Sequence, residues 1–314
     1  MKPYIVGIRP EGEGWIKLNT NENPYPIQLE MKGEEFENLN LYPDPESTEL
    51  CKAIAERFNV SPQNVFYGNG SDEVLALAFQ AFFAGQEVCM PDISYAFYPI
   101  WAEMYGVRLK FIPLKDWQID WSQYSGNCII ANPNAPTGLA FEINDVPTDG
   151  IVIIDEAYID FASVPSAIEL TKKCDNLLVV RTLSKSYSLA GLRMGFAIGN
   201  EKLVQRLKLY KDCYSPYLLS NITQKIATRA IKQPPNIGEI IKTREWLKSK
   251  IDCLDSQANF LWWHIANAKK MYDYLIQNKI LVRYYDNFPD RLRVTIGTQK
   301  EMEVFMKCIQ RFRK

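Results

Sequence analysis

Residues 176–195 read NLLVVRTLSKSYSLAGLRMG. The apolar run Leu177-Leu178-Val179-Val180 predicts a buried strand. Polar Arg181-Thr182-Leu183-Ser184-Lys185 follows at once, which sets a lysine where a strand ends. In open α/β sheets that edge is where ligands bind. A lysine near apolar walls loses its proton readily and acts as an amine nucleophile, forming a Schiff base with a carbonyl. Ser184 stands beside it, and Arg193, past Gly191, offers a planar fork for a phosphate. A Schiff-base lysine with a phosphate-binding arginine nearby suggests pyridoxal 5'-phosphate. A surface lysine on an exit loop is the competing reading of this stretch alone.

Upstream, Gly150-Ile151-Val152-Ile153-Ile154 predicts a strand that delivers Asp155-Glu156-Ala157-Tyr158. A carboxylate at the tip of an apolar strand is costly unless partnered. A protonated pyridine ring would be such a partner, with Asp155 keeping the ring cationic as an electron sink and Tyr158 reaching its phenolic oxygen. A loop aspartate capping a helix is the alternative. Residues 127–131 form a further buried strand, ending in Asn132-Pro133-Asn134-Ala135-Pro136-Thr137-Gly138, where two prolines and a glycine demand a tight loop.

Residues 64–67 run into Gly68-Asn69-Gly70-Ser71-Asp72-Glu73, and 74–83 continue as an apolar helix. Strand, glycine turn and helix start aim free backbone N–H groups at an anion, although a plain helix cap has the same pattern. No Gly-Lys-Ser/Thr follows, and the third glycine of a dinucleotide fingerprint is absent. Asp72 and Glu73 suit a helix N-terminus, yet would repel a phosphate unless Arg193 and Lys185 offset them. Residues 87–91 predict a strand and 97–104 an aromatic helix; Tyr95 between them is a core aromatic or a stacking platform.

Residues 1–40 are irregular apart from a short strand at 15–18. Leu41-Tyr42-Pro43-Asp44-Pro45 is extended, and Ser47 is placed to cap a helix through Leu50, Ile54 and Phe58. Beyond Gly195 the pattern predicts a short strand, a helix over 201–211 and helical segments within 218–250. Then come a strand (260–265), a helix (266–277), strands at 281–285 and 292–295 carrying Arg283 and Arg293, and an amphipathic helix over 300–312. Arg311, Arg313 and Lys314 read as its solvated end. This order implies an α/β fold: a large unit at 41–213 with a mainly parallel sheet, and a smaller unit from 1–40 and 214–314.

The 314 residues carry 36 basic and 37 acidic side chains, so no large basic surface for nucleic acid is implied. No apolar run has the length of a membrane span, and the N-terminal residues lack the apolar core of a signal peptide. Seven cysteines without a Cys-x-x-Cys pair suggest reduced thiols in the cytoplasm and no metal site. The one histidine, His264, lies in the apolar run 260–265 and reads as structural, which argues against triads.

Taken together these stretches resemble the fold-type I pyridoxal-phosphate aminotransferases, specifically the histidinol-phosphate aminotransferases. The markers occur in order: Leu18-Asn19-x-Asn21-Glu22-Asn23-Pro24, Tyr42-Pro43, Gly70-Ser71-Asp72-Glu73, the loop 132–138, Asp155-Glu156-Ala157-Tyr158, Thr182-Leu183-Ser184-Lys185 running to Arg193, and the segment 292–297. The resemblance implies that Lys185 is the Schiff-base lysine and the base for the proton shift. Asp155 would pair with the pyridinium nitrogen and Tyr158 with the phenolic oxygen. Ser184, Arg193 and the Gly70-Ser71-Asp72 backbone would bind the phosphate, and Tyr95 would lie against the ring. Tyr42 would reach the neighbouring subunit's cofactor, implying a homodimer, while Tyr4, Asn21, Arg283 and Arg293 would face substrate.

The family usually has an asparagine where this chain has Ala135, so Tyr158 would hold the phenolic oxygen alone unless Asn132 or Asn134 substitutes. The chain is also short for the family around 230–255 and between Arg283 and Arg293. The implied reaction is transamination of L-histidinol phosphate with 2-oxoglutarate. An aromatic amino acid aminotransferase and a threonine-phosphate decarboxylase share the cofactor residues. A non-catalytic pyridoxal-phosphate-sensing domain would follow a DNA-binding module, whereas here the Pro-Tyr motif starts at residue 3.

Overall fold

The computed structural model describes residues 3–30 and 32–312, so the terminal Arg313 and Lys314 lie outside it. The first half holds β1 (Ile16–Lys17), α1 (Thr48–Phe58), β2 (Val65–Asn69), α2 (Ser71–Ala78), β3 (Glu87–Pro91), α3 (Tyr98–Met104) and β4 (Arg108–Ile112). Next are β5 (Asn127–Ala131), β6 (Val152–Asp155), β7 (Leu177–Thr182), β8 (Met194–Gly199), α4 (Glu201–Tyr214), α5 (Asn221–Ile231) and α6 (Gly238–Lys248). The last part is β9 (Phe260–His264), α7 (Ala268–Gln277), β10 (Ile280–Leu281), β11 (Arg283–Tyr284), β12 (Arg291–Thr295) and α8 (Gln299–Phe312).

Seven strands form one sheet in the order β2-β8-β7-β6-β5-β3-β4. β8 is antiparallel to both of its neighbours, and the other paired strands are parallel. Residues of β6 and β7 are buried along their whole length, as expected of central strands covered on both faces. One apolar cluster on this sheet gathers Ile54, Ile130, Ile154, Val179 and Phe196; the other gathers Phe79, Tyr98, Ile129, Ile153 and Val180. Alternate residues of each strand thus feed opposite layers.

Because β8 alone is reversed, its first two residues meet the last residues of its neighbours: Asn69 pairs with Met194 and Thr182 with Gly195. Asp155, at the end of β6, pairs with Val180. The residues following β2, β6 and β7, and the residue preceding β8, therefore meet at one sheet edge. Gly195 makes this approach feasible, since a Cβ there would lie 2.2 Å from the Ser71 backbone nitrogen.

A three-stranded antiparallel sheet, β11-β12-β9, packs with α6, α7 and α8 around a third cluster that includes Trp263, Met271 and Phe305. Arg283 and Arg293 are register partners in it. β1 pairs in parallel with β10 as a separate two-stranded sheet, tying residues 16–17 to the chain just before β11.

Several local expectations change. Ser47 has a left-handed backbone (φ 44°) and makes no side-chain cap; the Asp44 carboxylate accepts the Thr48 N–H at 2.7 Å instead. The apolar helix over 74–83 ends as a π-helical turn, Phe79–Phe83. β4 gave no clear signal because it is a sheet edge with mixed burial. Val282 separates β10 from β11 where one strand is expected. α5, expected with the smaller unit, packs its Ala227, Ala230 and Ile231 into the core under the large sheet. His264 is the exposed last residue of β9, with Nδ1 2.8 Å from Asp252 Oδ2, so it is not packed in the strand.

Candidate active site

The sheet edge opens into a cavity of about 550 Å³ between the two sheets. Four cationic side chains line it, Lys185, Arg193, Arg283 and Arg293, against three acidic ones, Glu22, Asp72 and Asp155. That balance suits a small molecule carrying more than one anionic group.

Lys185 lies three residues beyond β7, and its Nζ donates to the Thr20 carbonyl at 3.1 Å. Burial is the main reason its pKa falls to about 8 from 10.5; Arg293 adds to the effect, while Asp72 and Glu22 oppose it. Such a lysine holds an appreciable neutral fraction at physiological pH.

Asp155 is 6 % exposed at the tip of β6. The Tyr98 hydroxyl donates to its Oδ2 at 2.8 Å, and the Ala157 N–H donates to its Oδ1 at 3.1 Å. Burial raises the carboxyl to about 6, against the lowering effect of these two donors. Tyr98 was not identified from sequence. The one available signal was an aromatic at the start of a helix, and nothing in a linear pattern joins positions 98 and 155.

Tyr158 faces the cavity, edge-on to Phe260 with centroids 5.1 Å apart, and its oxygen accepts the Asn21 amide N–H at 2.9 Å. Burial raises its pKa, so it stays protonated as a donor. Ser184 also lines the cavity, its N–H bonded to Thr182 Oγ1 at 3.1 Å.

Across the edge, α2 begins with no side-chain cap at Gly70, which leaves its first N–H groups facing outward. Gly70 has φ 85°, and a Cβ there would lie 2.5 Å from Arg193 Nη2. Only glycine keeps this cradle open beside the guanidinium. Arg193 contacts Asp72 at 3.6 Å, and the Tyr95 hydroxyl donates to Asp72 at 3.1 Å. An uncapped helix start, an adjacent arginine and Ser184 together suit a phosphate.

Arg283 and Arg293 enter from the smaller sheet. Arg293 Nη2 donates to the Asn19 carbonyl at 2.8 Å, and Arg283 Nη2 donates to the Ile5 carbonyl at 2.7 Å. The Nε of each is buried and has no partner among the described residues. Tyr4 lies on Phe97 at a centroid distance of 4.3 Å, with Arg283 5.7 Å from its ring.

Two expected participants are placed differently. The Asn132 side chain both donates to and accepts from the Phe141 backbone, and Asn134 is engaged by Ile93 and Thr137. Both brace the loop and neither lines the cavity, whereas Ala135 does. Tyr42 is 81 % exposed and stacks on Tyr217 at 4.6 Å, outside this chain's cavity.

The arrangement fits pyridoxal phosphate on its own observations: an uncapped helix start with a glycine cradle, a lysine of lowered pKa, and a buried carboxylate at a strand end. The profile for "Aminotransferase class I and II" matches residues 13–309. The histidinol-phosphate aminotransferase of Brachyspira hyodysenteriae is 43 % identical over 338 residues, covering 99 % of this chain and 96 % of that protein. That of Lactococcus lactis subsp. cremoris is 41 % identical over 345 residues, covering 100 % and 96 %. The fold is similar to histidinol-phosphate aminotransferase from Sinorhizobium meliloti in complex with pyridoxal-5'-phosphate, with a TM-score of 0.76. That match has 21 % identity and covers 92 % of this chain and 88 % of the other.

Proposed function

Because the chain belongs to the class I and II aminotransferases, and within them to the histidinol-phosphate aminotransferases, we propose that it transfers the amino group of L-histidinol phosphate to 2-oxoglutarate. The observation that supports this donor is the pair Arg283 and Arg293, register partners that line one cavity and each keep a buried Nε without a partner among the described residues. A guanidinium fork accepts phosphate or carboxylate through paired charge-assisted bonds, so one pocket serves the phosphate of one substrate and the carboxylate of the other.

The enzyme uses pyridoxal phosphate, which when bound supplies an electron sink for proton loss at the carbon carrying the amino group. The uncapped start of α2, Ser184 and Arg193 would hold its phosphate. Tyr95 would lie against the ring, and Asp155 would keep the ring nitrogen protonated. Tyr158 would donate toward the phenolic oxygen. Lys185, with its lowered pKa, moves the proton.

The test is a donor comparison. Arg283→Ala should reduce kcat/KM for histidinol phosphate by about tenfold to a thousandfold, and for phenylalanine much less. A wild-type preference for phenylalanine or tyrosine would overturn the donor and leave the aminotransferase class standing.

We also infer a homodimer with shared sites. Tyr42 is exposed together with Phe36, Leu39 and Leu41 on one short segment, and Tyr214 and Tyr217 are exposed as well. Mixing inactive Lys185→Ala with a severely impaired Tyr42→Phe should recover activity through hybrids holding one intact site. Verified subunit exchange without recovery would argue against sharing. Among the described residues no helix is long and apolar enough to cross a membrane, and Cys51, Cys89, Cys128, Cys174, Cys213, Cys253 and Cys308 are free thiols. We propose a cytoplasmic enzyme, a reading that the free thiols support.

A further inference from the structure

Asn21 lies in a peptide loop of the N-terminal segment, far in sequence from its hydrogen-bond partners. Its backbone is left-handed (φ 55°) and it is 1 % exposed. Its N–H donates to Thr295 Oγ1 at 3.0 Å, so the Thr295 hydroxyl hydrogen is free to point elsewhere, and it donates to Asn21 Oδ1 at 3.0 Å. Asn259 Nδ2 donates to the Asn21 carbonyl at 3.0 Å. The Thr295 hydroxyl bond sets which way the amide faces: with that hydrogen on Oδ1, Nδ2 faces Tyr158 and donates to the Tyr158 oxygen at 2.9 Å.

A phenolic oxygen has one hydrogen to give. With an N–H already directed at it from Asn21, the Tyr158 hydrogen must turn away from that side, and among the described residues it has no protein acceptor. The open side is the cavity, which Tyr158, Lys185 and Ala135 line together. Asn132 and Asn134, the two nearby amides, are engaged in bracing their own loop.

We propose that Asn21 is a positioning residue for the reaction: locked by Thr295, its amide sets the direction in which Tyr158 donates into the cavity. This goes beyond the substrate-facing role expected of Asn21 from sequence, and it rests on the reading that Tyr158 faces the phenolic oxygen of the cofactor. Thr295 ends β12 in the smaller sheet and Tyr158 follows β6 in the larger one, so the hydroxyl's direction depends on how the two sheets are packed.

The test is a pH titration of the visible absorbance of the bound cofactor in the purified holoenzyme. Donation to the phenolic oxygen favours its ionised form and holds the midpoint down. Asn21→Gly keeps the left-handed backbone and its N–H while removing the amide. It should raise the midpoint by up to about one pH unit, in the direction of Tyr158→Phe. In the double variant the shift should not exceed that of Tyr158→Phe alone. An unmoved midpoint, or a shift that adds in full on the Tyr158→Phe background, overturns the proposal. So does a raised KM for the amino donor with the midpoint unchanged, since Asn21 would then act on substrate directly. If Asn21→Gly does not fold, Thr295→Val releases the amide, and an unmoved midpoint there is equally fatal. A Tyr158→Phe midpoint identical to wild type sinks both the proposal and the reading of Tyr158; a shift in Tyr158→Phe alone sinks only the proposal.

Discussion

Replacing Lys185 with alanine will lower kcat by about 10⁴-fold or more, because in the proposed function one side chain supplies both the amine nucleophile and the proton carrier. Its surroundings support that double duty. Nζ has the Thr20 carbonyl as its hydrogen-bond partner, and burial with Arg293 nearby brings its pKa to about 8. Borohydride treatment, digestion and mass spectrometry will place the reduced pyridoxyl group on Lys185 in the wild type. Attachment at another lysine, or a variant within tenfold of wild-type kcat, would refute the assignment. A second signature concerns the cofactor-free protein. The folded-state pKa of about 8 lies below the ordinary 10.5, so between these values the unfolded chain binds a proton that the folded chain has released. Stability therefore rises with pH across that window, and Lys185→Ala will flatten the rise.

Arg181→Met will destabilise the fold by about 3–5 kcal/mol, since it strands the buried Glu156 and the partly buried Asp160 carboxylates without their cation. Arg181 is 5 % exposed on β7; its guanidinium bonds Asp160, and its Nη1 lies 3.5 Å from Glu156 Oε2. Glu156 is held further by the Ser166 hydroxyl and the Ala167 N–H, each at 2.6 Å, yet burial still raises its pKa. Asp160 also accepts from the Ser186 hydroxyl, one residue past Lys185, and Asn23 donates to the Ser186 carbonyl at 3.3 Å. The variant should thus lose activity beyond its loss of stability, because the lysine's loop is anchored through the same network. Denaturant unfolding at neutral pH checks the first part. A loss under about 1 kcal/mol would show the network to be dispensable. The triple change Arg181→Met, Glu156→Gln and Asp160→Asn should recover much of the stability, since it removes the stranded charges with the cation.

The parallel sheet and the place of Lys185, Asp155 and Gly70 were legible because the cues are local. An apolar run that stops at a polar residue marks a strand end, and the strand ends of a parallel sheet share one edge. Arg193 joins them for the same reason once β8 is recognised as the reversed strand. Expectations failed where two local patterns compete for the same residues. Ser47 looked like a cap until Asp44 took that role, and Asn132 and Asn134 looked like ligands until their amides closed onto their own loop.

By itself, then, the sequence determined the α/β class, the sheet edge that carries the chemistry and the residues set along it, since strand periodicity and chain order dictate those. Only the tertiary structure decided what each side chain does there. Tyr98 reaches Asp155 across 57 positions, and Thr295 locks Asn21 across 274. Hydrogen-bond direction and desolvation depend on which groups are brought within about 3 Å, and packing, not spacing along the chain, sets those distances.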